Sequence, residues 1–439
     1  MVRAMQWATP KERRETGQAR RKLMPRSEHA ELRIKARKTS PEVLLERASR
    51  GRLPELMKLK YQLMADSPFG YFRGAVPVMA ADLAALANTG IVSQLCGDAH
   101  VRNLGAYAAP DGRLVFDIND FDETIRGPFE WDLKRMASSI TLAGRGAGQK
   151  EASIRQAVEE CIERYCRLMG EFAGMSTLEV AHFQVHRISK VEPVHMALLK
   201  AERSTPLHTL EQLTEPVGKK AGAARRFKTI KPMLTRITGS KADEVIASLK
   251  RYTRTLEPQR EHLLSFFRPV DVAFKVVGTG SVGLRDYCIY FEGNGAEDPL
   301  FLQIKEEPAS GYAAYLPKAK PPTHNGKRVA QGQRAMQIQS DPFLGWTEMD
   351  GRDYLVRQLN DHKGSIELDD LAGAGLVAFG EVCGELLARG HARSCDALVI
   401  AGYLGAGDGF AEALSKFGAA YADQTEKDWE ELKRELKKK

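Results

Sequence analysis

Acidic and amide side chains are concentrated in one stretch of the chain, residues 95–135. It contains LCGDAHVRNLG and, a few residues later, LVFDINDFDETIRGPFEWDLKR, and most of its other residues are apolar. Asp98 follows one strand-like run and Asp120 follows a second. Carboxylates at the ends of apolar strands are costly to hold unless a cation or a proton accompanies them. Such oxygen ligands suit Mg²⁺, which shares substrate phosphates; the alternative is a pair of polar turns that only cap a sheet.

The spacing of these residues matches the needs of phosphoryl transfer. That reaction uses a carboxylate to take the proton of the acceptor hydroxyl and, five residues later, an amide oxygen to hold Mg²⁺. Asp98 and Asn103 have this spacing. The interval of seventeen residues from Asn103 to Asp120 predicts a short hairpin. A carboxylate at the end of that hairpin could bridge the metal and nucleotide phosphates.

A glycine-rich segment, VGTGSVG at residues 277–283, lies between two strand candidates. A dinucleotide-binding fingerprint would open a helix, whereas residues 284–291 continue as a strand. A glycine loop between two strands is how kinase-like proteins cover ATP phosphates. We therefore predict a nucleotide site made of Gly278, Gly280, Ser281, Gly283 and, at the end of the next strand, Lys305. The alternative is a glycine-rich hairpin with an exposed lysine.

Three segments carry a family resemblance. GDAHVRN resembles the catalytic loop of the aminoglycoside-phosphotransferase branch of the protein-kinase-like superfamily, and NDFDE resembles its metal-binding segment. GPFEWDLKR is similar to the element that begins the next helix. The resemblance implies that Asp98 is the general base and that Asp132 is a buried acid bracing the catalytic loop. It also implies that Asn103 and Asp120 are metal ligands.

Some assignments stay open. Asp117 and Asp122 are further metal candidates, and Asp117 could take the role given to Asp120. His100 could orient Asp98 or act as a catalytic acid–base group, which kinase-type transfer does not require. Gln331 stands where the superfamily would offer a glutamate to the Lys305 ammonium, and Glu306 and Glu307 are expected to point elsewhere.

Arginine and histidine side chains near the motif segments have two possible roles. Arg73, Arg126 and Arg357 could bind phosphate or substrate anions, although a surface ion pair is the more common role for an arginine. His391, close to the end of a long apolar helix, is expected to interact with the helix dipole.

The order of the motifs is unusual, because the glycine loop follows the catalytic loop by about 175 residues. Permutation of a fold is physically allowed. The resemblance therefore implies an α+β, two-lobed, protein-kinase-like fold that is circularly permuted, with a small antiparallel β lobe and a larger helical lobe. The segments SPFGYFRGA, SDPFLGW, YLVRQL, ARGHARS and YADQTEKDW closely resemble the bacterial DUF2252 family.

Hydrophobic periodicity divides the chain into four parts. We predict a mobile basic arm over residues 1–25, a helical lobe with the catalytic and metal-binding loops over 26–268, a β-rich nucleotide lobe over 269–362, and C-terminal helices over 363–439 that pack on the helical lobe. The region 176–248 is expected to be mostly helical. Strands are predicted at Val270–Val277, Tyr287–Phe291, Leu300–Ile304, Leu344–Glu348 and Tyr354–Leu359.

Composition narrows the class of protein. The chain has 439 residues and is 43% hydrophobic and 28% charged, which is typical of a globular protein with two domains or lobes. The sequence contains no apolar run long enough to span a membrane and no signal peptide for export. The six cysteines include no CxxC pair. We therefore expect a cytoplasmic protein without a zinc site. The net charge of +8 resides in the first 40 residues, with twelve Lys/Arg against four Asp/Glu, and we do not expect this arm to bind nucleic acid.

The sequence therefore predicts a phosphotransferase that uses ATP and Mg²⁺ to phosphorylate a hydroxyl of an unknown small molecule or protein. The alternatives are AMP transfer from the same site, a catalytically silent nucleotide-binding protein, and a nucleic-acid-associated protein acting through the basic arm.

Overall fold

The computed structural model describes residues 8–185, 190–218, 224–316, 322–359 and 362–438. We number its α-helices in chain order as α1 (Pro10–Arg20), α2 (Pro41–Ser49), α3 (Pro54–Ala65), α4 (Pro68–Gly74), α5 (Val76–Ala84), α6 (Glu130–Gly146), α7 (Glu151–Phe172), α8 (Thr177–His182), α9 (Glu192–Arg203), α10 (Pro206–Leu213), α11 (Ser240–Thr253), α12 (Pro258–Leu264), α13 (Asn325–Met336), α14 (Gly375–Ser394), α15 (Ala397–Leu404) and α16 (Phe410–Lys438).

The strands are shorter and are grouped in four places along the chain. They are β1 (Val92–Leu95), β2 (Leu104–Ala108), β3 (Leu114–Ile118), β4 (Ile125–Pro128), β5 (Thr214–Pro216), β6 (Arg225–Phe227), β7 (Leu234–Ile237), β8 (Arg268–Lys275), β9 (Asp286–Glu292), β10 (Pro299–Glu306), β11 (Gly345–Met349), β12 (Arg352–Gln358) and β13 (Gly364–Ser365).

The fold is mixed α+β, and the strand pairs of the described residues are all antiparallel. The largest sheet has six strands in the order β11-β12-β10-β9-β8-β7, and the smaller sheets are β13-β2-β3, β1-β4 and β5-β6. The five strands predicted from β-branched and aromatic runs in residues 270–359 are confirmed as β8 to β12.

Strand β10 shows how the sequence shapes the large sheet. Successive side chains of a strand point to opposite faces. Leu302 and Ile304 pack on one face in an apolar cluster that includes Tyr252 of α11. Gln303 and Lys305 are buried on the other face. The alternation of apolar and polar residues in LFLQIK therefore gives the sheet one apolar face and one face that carries polar groups.

Helix α6 is buried along nearly its whole length although it contains charged residues. The Glu130 carboxylate accepts hydrogen bonds from the Thr89 amide at 2.7 Å and the Thr89 hydroxyl at 2.8 Å. The Lys134 ammonium lies 4.3 Å from the centre of the Phe417 ring. Buried charges persist only with such partners. The other two charged residues of its first turns, Asp132 and Arg135, bind the segment that contains Asp98.

Three expectations about segment boundaries are corrected by the structure. The region predicted to be a mobile arm contains helix α1, which has a Thr9–Glu12 capping box and packs on α15. The region predicted to be mostly helical also contains β5, β6 and β7. Because β7 pairs with β8 and α11 packs on the apolar face of the large sheet, the sheet and its covering helix begin before the expected boundary at residue 269.

None of the described helices is both long enough and apolar enough to cross a bilayer.

Helix α1 and helix α15 are in backbone contact through two glycines. A Cβ atom on Gly17 would overlap the carbonyl of Val399, and one on Gly402 would overlap the carbonyl of Arg14. We predict that Gly17→Leu separates the two helices at a cost of about 1–3 kcal/mol, which is typical of an overpacked contact. Trypsin should then cleave within residues 13–21 faster than in the wild type. The exposed Ala19→Leu on the same helix is the control, and equal digestion rates in all three proteins would contradict the packing described.

Candidate functional site

The segment from Cys96 to Asn103, which we call the Asp98 loop, is held from below by a buried carboxylate. Strand β1 ends at Leu95, and the Asp132 carboxylate accepts hydrogen bonds from the amides of Cys96 at 2.8 Å and Gly97 at 3.0 Å. Gly97 has φ of 85°, and a Cβ atom there would overlap the backbone of Glu123. Only glycine fits this close approach. The bracing role predicted for Asp132 therefore corresponds to two hydrogen bonds.

A buried tyrosine and histidine extend this support. The Asp132 carboxylate lies 3.3 Å from Nε2 of His391, whose Nδ1 lies 2.9 Å from the Tyr165 hydroxyl. All three side chains are buried. His391 was expected to serve only the helix dipole, and instead it links α14 and α7 to the acid beneath the Asp98 loop. No spacing in the sequence could indicate this contact, because the three residues lie on separate helices.

The Asp98 carboxylate is paired with a buried arginine. Nε of Arg135 donates to Oδ1 of Asp98 at 2.6 Å, and the Arg135 guanidinium also donates to the Phe72 carbonyl at 3.1 Å while stacking 4.1 Å from the Phe72 ring centre. Burial raises the pKa of Asp98, and Arg135 opposes that rise. Asp98 is thus a basic carboxylate held in one orientation.

His100 lies beside Asp98 and is 2% exposed. Its Nε2 is 3.6 Å from Oδ2 of Asp98, and its ring meets the Phe69 ring edge-on at 5.9 Å between centres. Burial, followed by the charge of Arg73, lowers the pKa of His100 well below its usual value. A neutral, enclosed imidazole is suited to positioning Asp98. Of the two roles left open for His100, the geometry favours orientation.

The predicted hairpin between Asn103 and Asp120 is confirmed. Strands β2 and β3 pair with Leu104 opposite Ile118, and the Asn119 amide donates to the Asn103 carbonyl at 2.9 Å. Asn103 Nδ2 donates to the Asp98 carbonyl at 3.0 Å. Asp120 therefore follows the strand at the end of the hairpin where Asn103 lies.

Asp117 does not join this group. It is buried, its carboxylate is ion-paired with Arg389 of α14, and it accepts a hydrogen bond from the Ile118 amide at 2.7 Å. Because side chains alternate along β3, Asp117 belongs to the α14 side. The structure thus separates Asp117 from Asp120 and Asp122, with which the sequence analysis had grouped it as a metal candidate.

Asp122 is the point where the glycine loop and Lys305 meet the Asp98–Asp120 segment. The Lys305 ammonium is ion-paired with Oδ2 of Asp122, and the Ser281 hydroxyl donates to the same oxygen at 3.1 Å. Burial disfavours both charges, but their mutual attraction prevails: the pKa of Asp122 is lowered and that of Lys305 is raised. The structure therefore brings the two predicted motifs to one place.

The glycine loop, residues 276–284, is held by its carbonyl groups. Lys60 donates to the carbonyls of Thr279 and Gly280, and Arg52 donates to those of Gly280 and Val282, at 2.6–3.2 Å. In the part of the chain that the structure describes, the amides of residues 277–283 donate no hydrogen bond. Gly278 and Gly283 have φ of 63° and 91°. The loop thus keeps free amides, the groups that bind anions.

Four cations lie near one another beside strand β10. Lys275, Lys305 and Arg357 belong to strands of the large sheet, and Lys363 lies between β12 and β13. Each of the four interacts electrostatically with Asp120 or Asp286. We call the space that these residues share with Asp98 and Asp122 the cleft. Lys363 lies at its rim, where solvent still reaches the side chain. Burial raises the pKa of Asp286 to about 6.

Two side chains around Lys305 differ from expectation. Gln331 is exposed on α13 and does not stand in for a glutamate. Glu307 was expected to point elsewhere, yet it is 2% exposed and lies in the electrostatic range of Asp122 and Lys305. Among the described residues, neither of its buried carboxyl oxygens has a hydrogen-bond partner, and burial, followed by the charge of Asp122, raises its pKa well above the usual value. Glu306 does point elsewhere, to Arg285 and Arg352.

Free space in the cleft is divided by Arg357 and Lys305. The cavity beneath the glycine loop, bordered by Lys275, Asp286 and Lys305, has a volume of about 0 Å³ for water-sized molecules. A second cavity of about 80 Å³ is bordered by polar residues that include Asn119, Gln303, Arg357 and Lys363. The first is smaller than ordinary ligand pockets, which begin at roughly 300 Å³. The glycine loop is therefore in a closed position over Lys305.

A family model described as "Uncharacterized protein conserved in bacteria (DUF2252)" matches residues 52–435. The chain belongs to the DUF2252 family. Searches of curated proteins and of solved structures find no significant match. The region matched by the DUF2252 model includes the Asp98 loop, the glycine loop and Lys305, and it begins after α1 and α2.

Several cleft residues of this DUF2252 protein had no motif to reveal them. Lys275, Asp286 and Lys363 lie at strand ends or between elements, and only the pairing of β8, β9 and β10 brings the first two together. Arg357 was considered as an anion ligand, and it lies in the cleft because it pairs with Gln303 across β10 and β12. Arg126, the third arginine considered with it, is exposed outside the cleft.

The Lys363 amine is predicted to titrate far below an ordinary lysine. The Lys363 side chain is exposed as a whole, but desolvation of its amine by the groups around it, followed by the charge of Arg357, lowers its pKa to about 8, compared with roughly 10.4 for a free lysine. An amine reacts in its neutral form, so acetic anhydride should modify Lys363 half-maximally near pH 8, as followed by peptide mass spectrometry. Arg357→Gln removes a neighbouring positive charge and should move that midpoint upward.

The exposed Lys22 serves as an internal reference for reagent dose in the same digests. A Lys363 midpoint near pH 10, or one that does not change in Arg357→Gln, would mean that Lys363 is not enclosed with Arg357 in the cleft.

Proposed function

We propose that this DUF2252 protein is an ATP- and Mg²⁺-dependent phosphotransferase that phosphorylates a hydroxyl group. The observation that carries the proposal is the contact of Lys305 and Ser281 with Asp122. It joins a glycine loop with free amides to the segment that holds Asp120, beside a basic carboxylate, Asp98. Catalysis of phosphoryl transfer rests on positioning and charge neutralisation, and these are the properties that the cleft offers.

The nucleotide would bind under the glycine loop. Its phosphates would receive hydrogen bonds from the free amides of residues 277–283 and would be neutralised by Lys305, with Lys275 and Arg357 close by. Backbone amides and buried cations are the usual partners of phosphate. Because the cavity there has no room even for water-sized molecules, nucleotide entry would require Ser281 to leave Asp122 and the loop to rise.

Two carboxylates and an amide oxygen are ligand types that suit a magnesium ion, although the described residues contain no group of three His, Cys, Asp or Glu side chains placed to hold a metal. Oδ1 of Asp122 is buried without a hydrogen-bond partner among the described residues, and Asn103 uses its side-chain nitrogen for Asp98, which leaves its amide oxygen unused by that bond. Asp120, Asp122 and Asn103 would hold the ion. When bound, Mg²⁺ neutralises charge on the phosphates of the nucleotide.

Asp98 would take the proton in the transfer step. The acceptor oxygen forms a bond to the γ-phosphorus as its proton passes to the Asp98 carboxylate, and the bond from the γ-phosphorus to the bridging oxygen breaks, with its electron pair leaving on ADP. Burial raises the pKa of the Asp98 carboxylate, while the hydrogen bond from Arg135 fixes its orientation and the His100 ring packs beside it.

The same arrangement supports the proposal that the fold is protein-kinase-like and circularly permuted. The large sheet with the glycine loop and Lys305 follows the Asp98 loop in the chain, the reverse of the usual kinase order. In this interpretation the six-stranded antiparallel sheet forms the smaller lobe of the kinase-like fold, and the helical region forms the larger lobe. Transfer of AMP from the same site is an alternative, because a reversed nucleotide would present its α-phosphorus to the acceptor.

A catalytically silent nucleotide-binding protein is the second candidate function. The observation that favours it is that Lys305 is engaged by Asp122, while α13 offers Gln331 in place of a glutamate. Glu307 weakens this candidate, since a buried acid does lie beside Lys305. Binding of ATP without release of ADP or AMP would distinguish it from a transferase.

We predict that ATP with Mg²⁺ stabilises the wild type and does so much less in Asp120→Asn, because the variant loses a metal-binding carboxylate. At a ligand concentration 100 times Kd the stabilisation is about 2.7 kcal/mol, which a thermal-shift measurement resolves. The exposed Asp111→Asn, on the β2–β3 turn, is the matched control. Equal shifts in Asp120→Asn and the wild type would show that Asp120 does not belong to the site. If no protein shows a shift, the proposal that this protein binds ATP is wrong.

Asp98→Asn is predicted to separate binding from turnover. Its thermal shift with ATP and Mg²⁺ should remain close to that of the wild type, whereas formation of ADP in the presence of pooled hydroxyl compounds should fall by roughly a hundredfold to ten-thousandfold, the range expected for loss of a general base. Mass spectrometry of the modified acceptor separates phosphoryl from adenylyl transfer. Undiminished ADP formation by Asp98→Asn would exclude Asp98 as the base.

A further inference from the structure

We infer that the acceptor of this transferase carries an anionic group, a phosphate or a carboxylate, which Arg73 binds together with Arg102 next to Asp98. This inference rests on the proposed function and specifies its unknown substrate. It places a second anion site in the cleft, on the side of the helices, separate from the cations of the large sheet.

Arg73 is fixed at the end of helix α4. This helix begins after Ser67, whose hydroxyl accepts a hydrogen bond from the Gly70 amide at 3.0 Å, and Pro68 occupies its first position. Two aromatic residues of α4 pack on the Asp98 loop and its partner: Phe69 meets His100, and Phe72 stacks on Arg135. The residue that follows Phe72 is therefore delivered to the edge of the Asp98 carboxylate.

The Arg73 guanidinium has no partner in the described part of the chain. It forms no ion pair or hydrogen bond there, and its Nε is buried without a hydrogen-bond partner. Its electrostatic neighbours are Arg102, Asp98, Asp120 and Glu367, and none of these carboxylates makes an ion pair with it. The Arg73 side chain is half-buried, and burying part of a guanidinium without a partner is unfavourable. An anion that docks in the cleft would satisfy it with charge-assisted hydrogen bonds.

Arg102 supplies a second, more exposed cation. It belongs to the Asp98 loop, and its guanidinium lies 3.2 Å from the Glu367 carboxylate, with 33% of its side chain exposed. An ion pair at this exposure contributes little, so Arg102 can turn from Glu367 to a ligand at small cost. Two guanidinium groups so close repel each other, as the effect of Arg102 on Arg73 indicates. An anion between them would remove that repulsion.

The positions of the cations assign them to different ligands. Lys275, Lys305 and Arg357 lie on strands of the large sheet, beneath or beside the glycine loop. Arg73 and Arg102 lie on α4 and the Asp98 loop, at the base that accepts the proton. An anionic group held there would direct a hydroxyl of the same molecule to Asp98, with the nucleotide phosphates on the opposite side of Asp120.

The test uses inorganic phosphate and malonate as probes and full-length protein throughout. In the wild type saturated with Mg²⁺ and a non-hydrolysable ATP analogue, titration calorimetry should detect binding of one probe or both, and the stronger one tells whether the acceptor group is a phosphate or a carboxylate. Arg73→Gln should weaken that probe at least tenfold, and Arg102→Gln should weaken it by less, while the analogue's own Kd stays within twofold. Arg113→Gln, an exposed arginine on the β2–β3 hairpin, should change neither.

Each contrary result has its own meaning. If Arg73→Gln weakens the analogue tenfold and leaves the probes unchanged, Arg73 serves the nucleotide and the inference is wrong. It is also wrong if neither probe binds the wild type at millimolar concentration. If the analogue fails to bind but Arg73→Gln still abolishes probe binding to the nucleotide-free protein, the anion site stands and the proposed phosphotransferase function fails.

Discussion

The ion pair between Lys305 and Asp122 is the interaction on which the cleft depends. It joins residues that are 183 positions apart in the chain and is almost entirely enclosed on the lysine side. Breaking a buried pair of this kind is strongly unfavourable, because the remaining charge is left without a partner. The glycine loop adds Ser281 to the same carboxylate. The Asp122 side chain therefore connects the segment after β3 both to the large sheet, through Lys305, and to its loop, through Ser281.

Contacts with the helices hold this acidic segment rigidly. The amides of the Asp98 loop are bound by Asp132, which in turn contacts His391. Gly97 lies so close to Glu123 that no larger residue fits. Such support is needed because the carboxylates of Asp98, Asp120 and Asp122 repel one another, and the repulsion would move them apart if the Asp98 loop were free to move. Arg135 and Lys305 compensate the charge, and the hydrogen bonds from below keep the geometry.

Local patterns in the sequence predicted the parts of this arrangement that local physics determines. The alternation in β10 and the turn between β2 and β3 follow from strand periodicity, and they place Lys305 and Asn103 correctly. Local patterns failed for Asp117 and Glu307. The face of β3 that contacts α14 depends on packing between distant segments, and so does the direction of the chain after β10. Lys363 and Asp286 carry no motif at all. Strand β7 was missed because its four residues, LTRI, are half polar and become a strand only by pairing with β8.

An exchange of ion-pair partners would allow this protein to keep many charged side chains in one cleft. Lys305 is neutralised by Asp122. Burial, followed by the charge of Asp122, raises the pKa of Glu307, which favours its uncharged form beside that pair. In the proposed function, Lys305 would transfer to the nucleotide phosphates and leave Asp122 for a cation, so neither group would be left unpaired. Arg73 differs, because it has no partner to give up among the described residues. That asymmetry distinguishes the two sides of the cleft: Lys305 on the sheet side has an ionic partner, and Arg73 on the helix side has none in the described chain.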